Sequence, residues 1–196
     1  MTGMEVSKSR LIMLPNAHLR QRSRKVGLIT AEVKQLIEDM QAVTLDWEDS
    51  RQHEVGVALA AIQIDQLLRA VVIRNNFDNK SDRTFTAFIN PVITKYEGDV
   101  VEDYEGCLSI KDIYGKVKRH SKVRVRATNL NGHEFRVTAE GFLARVFQHE
   151  IDHCNGKVFI DYIKDTPEAF FKLLPDGKLE QLDYEKDIRK NSLLWQ

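Results

Sequence analysis

The sequence predicts an α+β fold in which antiparallel β-strands pack around a central helix that carries a metal site. Three observations lead there. The run Gly141 to Cys154 has apolar residues Phe142, Leu143, Val146 and Phe147 at helical spacing and ends in His149, Glu150 and His153. Val123, Val125 and Ala127 alternate with Arg124 and Arg126, and the alternation resumes at Phe135 and Val137 after the turn dipeptide Asn131-Gly132. Earlier in the chain, Val33, Leu36, Ile37, Met40 and Val43 recur at helical spacing among polar residues, which makes an amphipathic helix with Thr30 as its cap.

The elements follow in order. Leu11 to Leu14 is a short apolar run stopped by Pro15, with a turn and one helical turn after it. Arg20, Arg22, Arg24 and Lys25 form a basic cluster, read as a solvated face or as a contact for a phosphate-rich partner such as ribosomal RNA. After the amphipathic helix, Trp47 to Glu54 reads as an exposed loop, with His53 solvated. Gly56 to Gln63 is apolar and small, extended at least in part. Ala70 to Ile73 is a β-branched strand, Asn75 to Arg83 a polar loop, and Phe85 to Ile93 a strand with Pro91 at an edge or bulge. Glu97 to Glu105 is an acidic stretch, read as surface except near Glu105, which belongs to the motif that follows and can fix a loop by hydrogen bonds, and Tyr114-Gly115 reads as a turn. Asn155-Gly156 ends the metal helix in a left-handed cap, Val158 to Ile160 is a last short strand, and Pro167 opens a helix carrying Phe170, Phe171 and Leu174. A charged tail runs from about residue 175, as a mobile segment or an anchor.

Length and composition bound the function. One domain spanning 1–196 is the economical reading of 196 residues without repeats or linkers. The chain is 42% hydrophobic and 30% charged, with 29 basic and 29 acidic residues. Zero formal net charge argues against bulk attraction to nucleic acid or an anionic membrane, so neither sequence-specific nucleic-acid binding nor membrane attachment is expected. No apolar run approaches the ~20 residues that span a bilayer. Met1 to Arg10 lacks the apolar core of a signal peptide, which points to the cytoplasm, with an organelle import signal left open by its basic residues. Two cysteines make no disulfide framework.

The chemistry is concentrated in three stretches. In Gln148-His149-Glu150-Ile151-Asp152-His153, histidines four apart on a helix stack on one face and can reach one ion. Glu150 beside the first ligand suits proton transfer to and from a metal-activated water, as in the H-E-x-x-H pattern of zinc metalloproteases. A catalytic ion needs a third ligand and an open position. Cys107, in Glu105-Gly106-Cys107-Leu108-Ser109, is preferred over Cys154, which follows His153 directly and points off the shared face. Gly56-Val57-Ala58-Leu59-Ala60-Ala61-Ile62-Gln63 brings small residues that admit a ligand to the backbone, and an amide that can donate to an oxyanion.

In this order the three stretches resemble the signature motifs of peptide deformylases, G-x-G-x-A-A-x-Q, E-G-C-L-S and Q-H-E-x-D-H-x-x-G, with one departure: Ala58 stands where the family has its second glycine. The resemblance runs from about Leu11 to about Tyr162. It implies the same fold and the removal of the N-formyl group from the initiator methionine of nascent polypeptides, with release of formate. It implies one divalent metal per chain on Cys107, His149 and His153, with Fe2+ the working ion and Zn2+ able to occupy the site. It implies Glu150 as acid and base, and Gln63 and the Leu108 N–H as oxyanion donors. Position then suggests Gly56, Val57, Ala58, Phe142 and Val146 as residues that bind the substrate. Three rivals stay open: a metallopeptidase, a binding module on the same fold, and a closed structural zinc site completed by Cys154.

Overall fold

The computed structural model describes residues 11–195; Met1 to Arg10, whose basic residues leave an import signal open, lie outside them. The amphipathic run folds as helix α1, Ala31–Asp49, with the Thr30 hydroxyl capping the Val33 N–H. Strands β1 (Ala58–Ala60), β2 (Ala70–Arg74), β3 (Phe85–Cys107), β4 (Ile110–Thr128), β5 (Glu134–Glu140), β6 (Phe170–Leu173) and β7 (Leu179–Gln181) form one antiparallel sheet. Its order is β1-β2-β3-β4-β6-β7, with β5 also on β4. Helix α2, Gly141–Cys154, follows β5 and ends in Gly156 at φ 75°.

The sheet separates two layers because side chains alternate along a strand. Val71 and Ile73 of β2 pack with Ala144, Phe147 and Ile151 of α2, whereas Ala70 and Val72 pack with Ile37 and Met40 of α1. β2 is therefore buried on both faces. A third cluster joins Cys107, Ile110 and Val117 to Phe159, Ile160, Phe170, Ile188 and Leu194.

The fold class holds, and several element assignments need correction. Trp47 and Glu48 are not in an exposed loop. They are buried in the last turn of α1, where Glu48 forms an ion pair with the fully buried Arg74 and accepts the Gly56 N–H at 2.8 Å. The acidic stretch Glu97 to Glu105 lies at the surface as far as Tyr104 and is buried at Glu105, as expected, and its backbone is strand: β3 and β4 form a long ribbon, with a register shift at Asn90-Pro91, where Pro91 suggests an irregularity. Tyr114-Gly115 is not a turn. Both residues lie within β4, and the reversal falls at Leu108-Ser109. Gly115 is needed for closeness, since a Cβ there would overlap the Ile163 side chain and meet the Phe159 ring at 2.8 Å. Val158 to Ile160 is no strand but the entry to a 3-10 turn, Phe159–Tyr162, capped by Asp161. Phe170 and Phe171 are not helical; they form β6 against β4. The tail beyond 175 folds back as β7 and a further turn, and buries Ile188 and Leu194. Arg20 is drawn out of the basic cluster by Asp161, at 2.6 Å.

Candidate metal centre and its cavity

α2 places His149 and His153 on one face, ring centroids 4.9 Å apart. β3 ends in Cys107, whose Sγ lies 3.2 Å from His153 Nε2. The donor atoms of Cys107, His149 and His153 all lie within 4.8 Å of one another, so one thiolate and two imidazoles converge as a single ion requires. Gly106 makes that approach feasible, because a Cβ there would meet the Tyr114 ring at 2.6 Å. Cys154 stays outside the group. It is buried in the α2–sheet core, and burial pushes its thiol up to about 12. The closed site of one rival reading therefore loses its fourth ligand.

Around the donors lies a buried ionic network that the sequence signals at its acids, Glu105 and Asp152, and not at its arginines. The Glu105 carboxylate accepts hydrogen bonds from His149 Nδ1 (3.0 Å), Arg119 Nε (2.8 Å) and Nη2 (3.0 Å), and Arg145 Nη1 (2.9 Å). Burial opposes its ionisation, but His149 and Arg119 outweigh that and hold it well below the usual carboxylate range. Binding Nδ1 turns Nε2 of His149 toward the other donors, the usual way a carboxylate orients a ligating imidazole. Arg119 reaches on to Asp152 at 2.6 Å, and Asp152 accepts from the Tyr162 hydroxyl at 3.0 Å.

Gln63 is 1% exposed. Its Oε1 accepts the Ala60 N–H at 2.9 Å, which aims the amide nitrogen at Ser109 Oγ (3.2 Å) and Cys107 Sγ (3.6 Å). The segment Leu11 to Leu14 ties the two motif loops together: Ile12 N–H donates to Gln63 O at 2.8 Å and Leu14 N–H to Ser109 O at 3.0 Å. Glu150 is 5% exposed, and its Oε2 has no hydrogen-bond partner among the described residues. Burial raises its carboxyl to about 7. His153 Nδ1 is also buried without a partner there.

A cavity of about 480 Å³ opens onto this centre. Val57, Ala58, Gln63, Leu108, Phe142, Val146 and Glu150 line it. Gly56 does not: it stands behind the wall, where a Cβ would meet Thr44 at 2.7 Å. Ala58 lies in regular strand paired with Ile73 and is not among the residues at positive φ, so its methyl carries no backbone strain. His53 sits at the rim with Nε2 3.1 Å from Pro175 O, far in role from a ligand. Sequence patterning does not single out Arg119 and Arg145. The available signal is an arginine within an apolar pattern, as at Ala144-Arg145-Val146, where a buried charge needs partners; Arg145 finds them in Glu105 and in the Val101 and Val117 carbonyls.

A helix-borne pair of histidines and a strand cysteine, beside a buried carboxylate on an open cavity, form a group that could hold one metal ion, the donor set of a hydrolytic class of protein. Similarity to known proteins supplies the family. The sequence profile of polypeptide deformylase matches residues 8–168. The chain is 39% identical over 153 residues to the peptide deformylase of Psychrobacter arcticus, covering 78% of each, and 38% identical over 162 residues to that of Rhodopseudomonas palustris, covering 81% and 87%. A crystal structure of a peptide deformylase from Synechococcus elongatus in complex with actinonin superposes with a TM-score of 0.71 at 34% identity, over 78% of each chain. The chain belongs to the polypeptide deformylase family of hydrolases, whose known function is the deformylation of N-formylmethionine peptides.

Proposed function

We propose that one catalytic domain spanning this chain hydrolyses the formyl amide of N-formylmethionyl nascent peptides, leaving formate and a free amino terminus. The observation that carries the reading is Glu150: a buried carboxyl, raised to about 7 and unpartnered at Oε2, on a cavity beside the Cys107, His149 and His153 donors. An orphaned acceptor next to three converging donors fits a site built to hold an ion and a water. Cys107, His149 and His153 would hold one divalent ion, Fe2+ as the working metal with Zn2+ able to replace it. When bound, the ion supplies Lewis acidity and an activated water.

The remaining work belongs to the protein. Glu150 takes the proton of the attacking water and returns it to the departing amine, a role that needs a carboxyl titrating near the working pH. The Gln63 amide N–H, fixed by Ala60, and the Leu108 N–H donate to the oxyanion of the tetrahedral intermediate; one such donor is typically worth about 3 kcal/mol. Val57, Ala58, Phe142 and Val146 wall the methionine side chain, with Gly56 supporting the wall from behind. Among the described residues no helix is long and apolar enough to cross a membrane. The proposed setting is the cytoplasm, near the ribosome that supplies the substrate, with Arg22, Arg24 and Lys25 as the exposed basic face.

The test is formate release from a formyl-methionyl tripeptide by protein prepared anaerobically with Fe2+, beside Glu150→Gln. Fast release by the wild type and a large loss in the variant, at equal metal content, is the expected result. Cleavage of unformylated peptides would favour the metallopeptidase instead, and no release despite one bound ion per chain would favour a binding module.

A further inference from the structure

The charged groups around the cavity mouth are almost all paired with one another. Arg51 donates to Asp112 at 2.9 Å, lies 3.5 Å from Glu54, and stacks over the Trp47 ring at 5.2 Å. The Tyr114 hydroxyl donates to Glu54 at 2.8 Å. Deeper in, Arg145 is committed to Glu105. One cation on the cavity wall is different. Lys111 is exposed, and its ammonium makes no hydrogen bond, ion pair or ring contact with any described residue. It follows Ile110, which pairs in register with Cys107 across the Leu108-Ser109 reversal, so its backbone belongs to the same hairpin as Cys107. An unpaired ammonium on the wall of a cavity favours a ligand that brings an anion.

We propose that Lys111 is a specificity-determining residue that selects formylated peptides carrying a carboxylate downstream of the methionine. The inference rests on the deformylase reading above and adds a substrate preference to it. Asp78 is an exposed acid on the wall without a partner among the described residues, carried by the loop beside the Phe77–Phe142 ring pair, whereas Glu54 and Asp112 are taken up by Tyr114 and Arg51. It gives the rival expectation of a preference for basic peptides.

The experiment uses the full chain loaded with Fe2+ and measures formate from formyl-Met-Ala-X-amide peptides with X as Glu, Gln or Lys. The expected KM for the Glu peptide is about two- to fivefold below that of the Gln peptide, the range of an exposed ion pair, with kcat unchanged and the gap narrowing in high salt. Lys111→Gln should bring the two KM values level, and Lys111→Glu should favour the Lys peptide. Comparing the free acid of the Gln peptide with its amide separates a side-chain carboxylate from a terminal one as the group recognised. Equal KM values for Glu and Gln peptides in the wild type, or a preference that survives Lys111→Gln, would overturn the proposal. So would a wild-type preference for the Lys peptide that Asp78→Asn removes. No formate from any peptide would instead sink the deformylase reading and this one with it.

Discussion

Two buried carboxylates flank His149, and they are built for opposite purposes. Glu105 and Glu150 are each 5% exposed. Glu105 is saturated by His149, Arg119 and Arg145 and stays ionised, whereas Glu150 leaves Oε2 unpaired and its carboxyl rises to about 7. Burial is the same, so burial does not decide the role. Partners do: a carboxylate surrounded by cations is a fixed charge that orients a ligand, and one without them can exchange a proton.

Four substitutions break or sharpen that contrast. Glu150→Gln should cost about 10²–10⁴ in kcat while metal content and the urea midpoint of the metal-free protein stay at or above wild type, because a polar amide replaces a group that is costly to bury charged. A variant that loses its metal or unfolds would make Glu150 a structural residue like its neighbour. Glu105→Gln should do the reverse. It leaves Arg119 and Arg145 buried beside a neutral amide, so denaturant unfolding should show a loss approaching ~3–5 kcal/mol, and competition with a chelator should show metal affinity about 10–100-fold lower. Asp152→Asn acts one step further out, on an Arg119 that keeps Glu105; a loss of about 1 kcal/mol in unfolding is expected, and a larger one would mean the network behaves as a unit. Ala58→Gly touches neither carboxylate. Metal content should not change and stability should fall by about 0.5–1 kcal/mol for a glycine in a strand, while KM values across a peptide panel report whether the methyl narrows the cavity.

The centre was legible because its chemistry is local in sequence. Two of the proposed ligands and Glu150 share one stretch of helix, and Cys107 follows a glycine whose lack of a side chain the Tyr114 ring requires. What sequence hid was nonlocal. Nothing around Glu48 announces Arg74, 26 positions on, as its buried partner. Gly115 reads as a turn because glycine signals both turns and tight contacts, and only the packing of Phe159 and Ile163 tells them apart. The pair Phe170-Phe171 suits a helix face or a short strand equally well, and the free edge of β4 at Ile113–Gly115 selected the strand. The acidic β3 ribbon lacks the apolar alternation that marks a strand, since most of its side chains face solvent.

The Ile12 and Leu14 bonds to the two motif loops have a practical meaning for anyone handling the protein. Together they make this short stretch a suture between the Gln63 loop and the cysteine loop. A cut beyond Leu14 would free both loops together and look, in an assay, like a lost active-site residue although every side chain proposed for catalysis was still present.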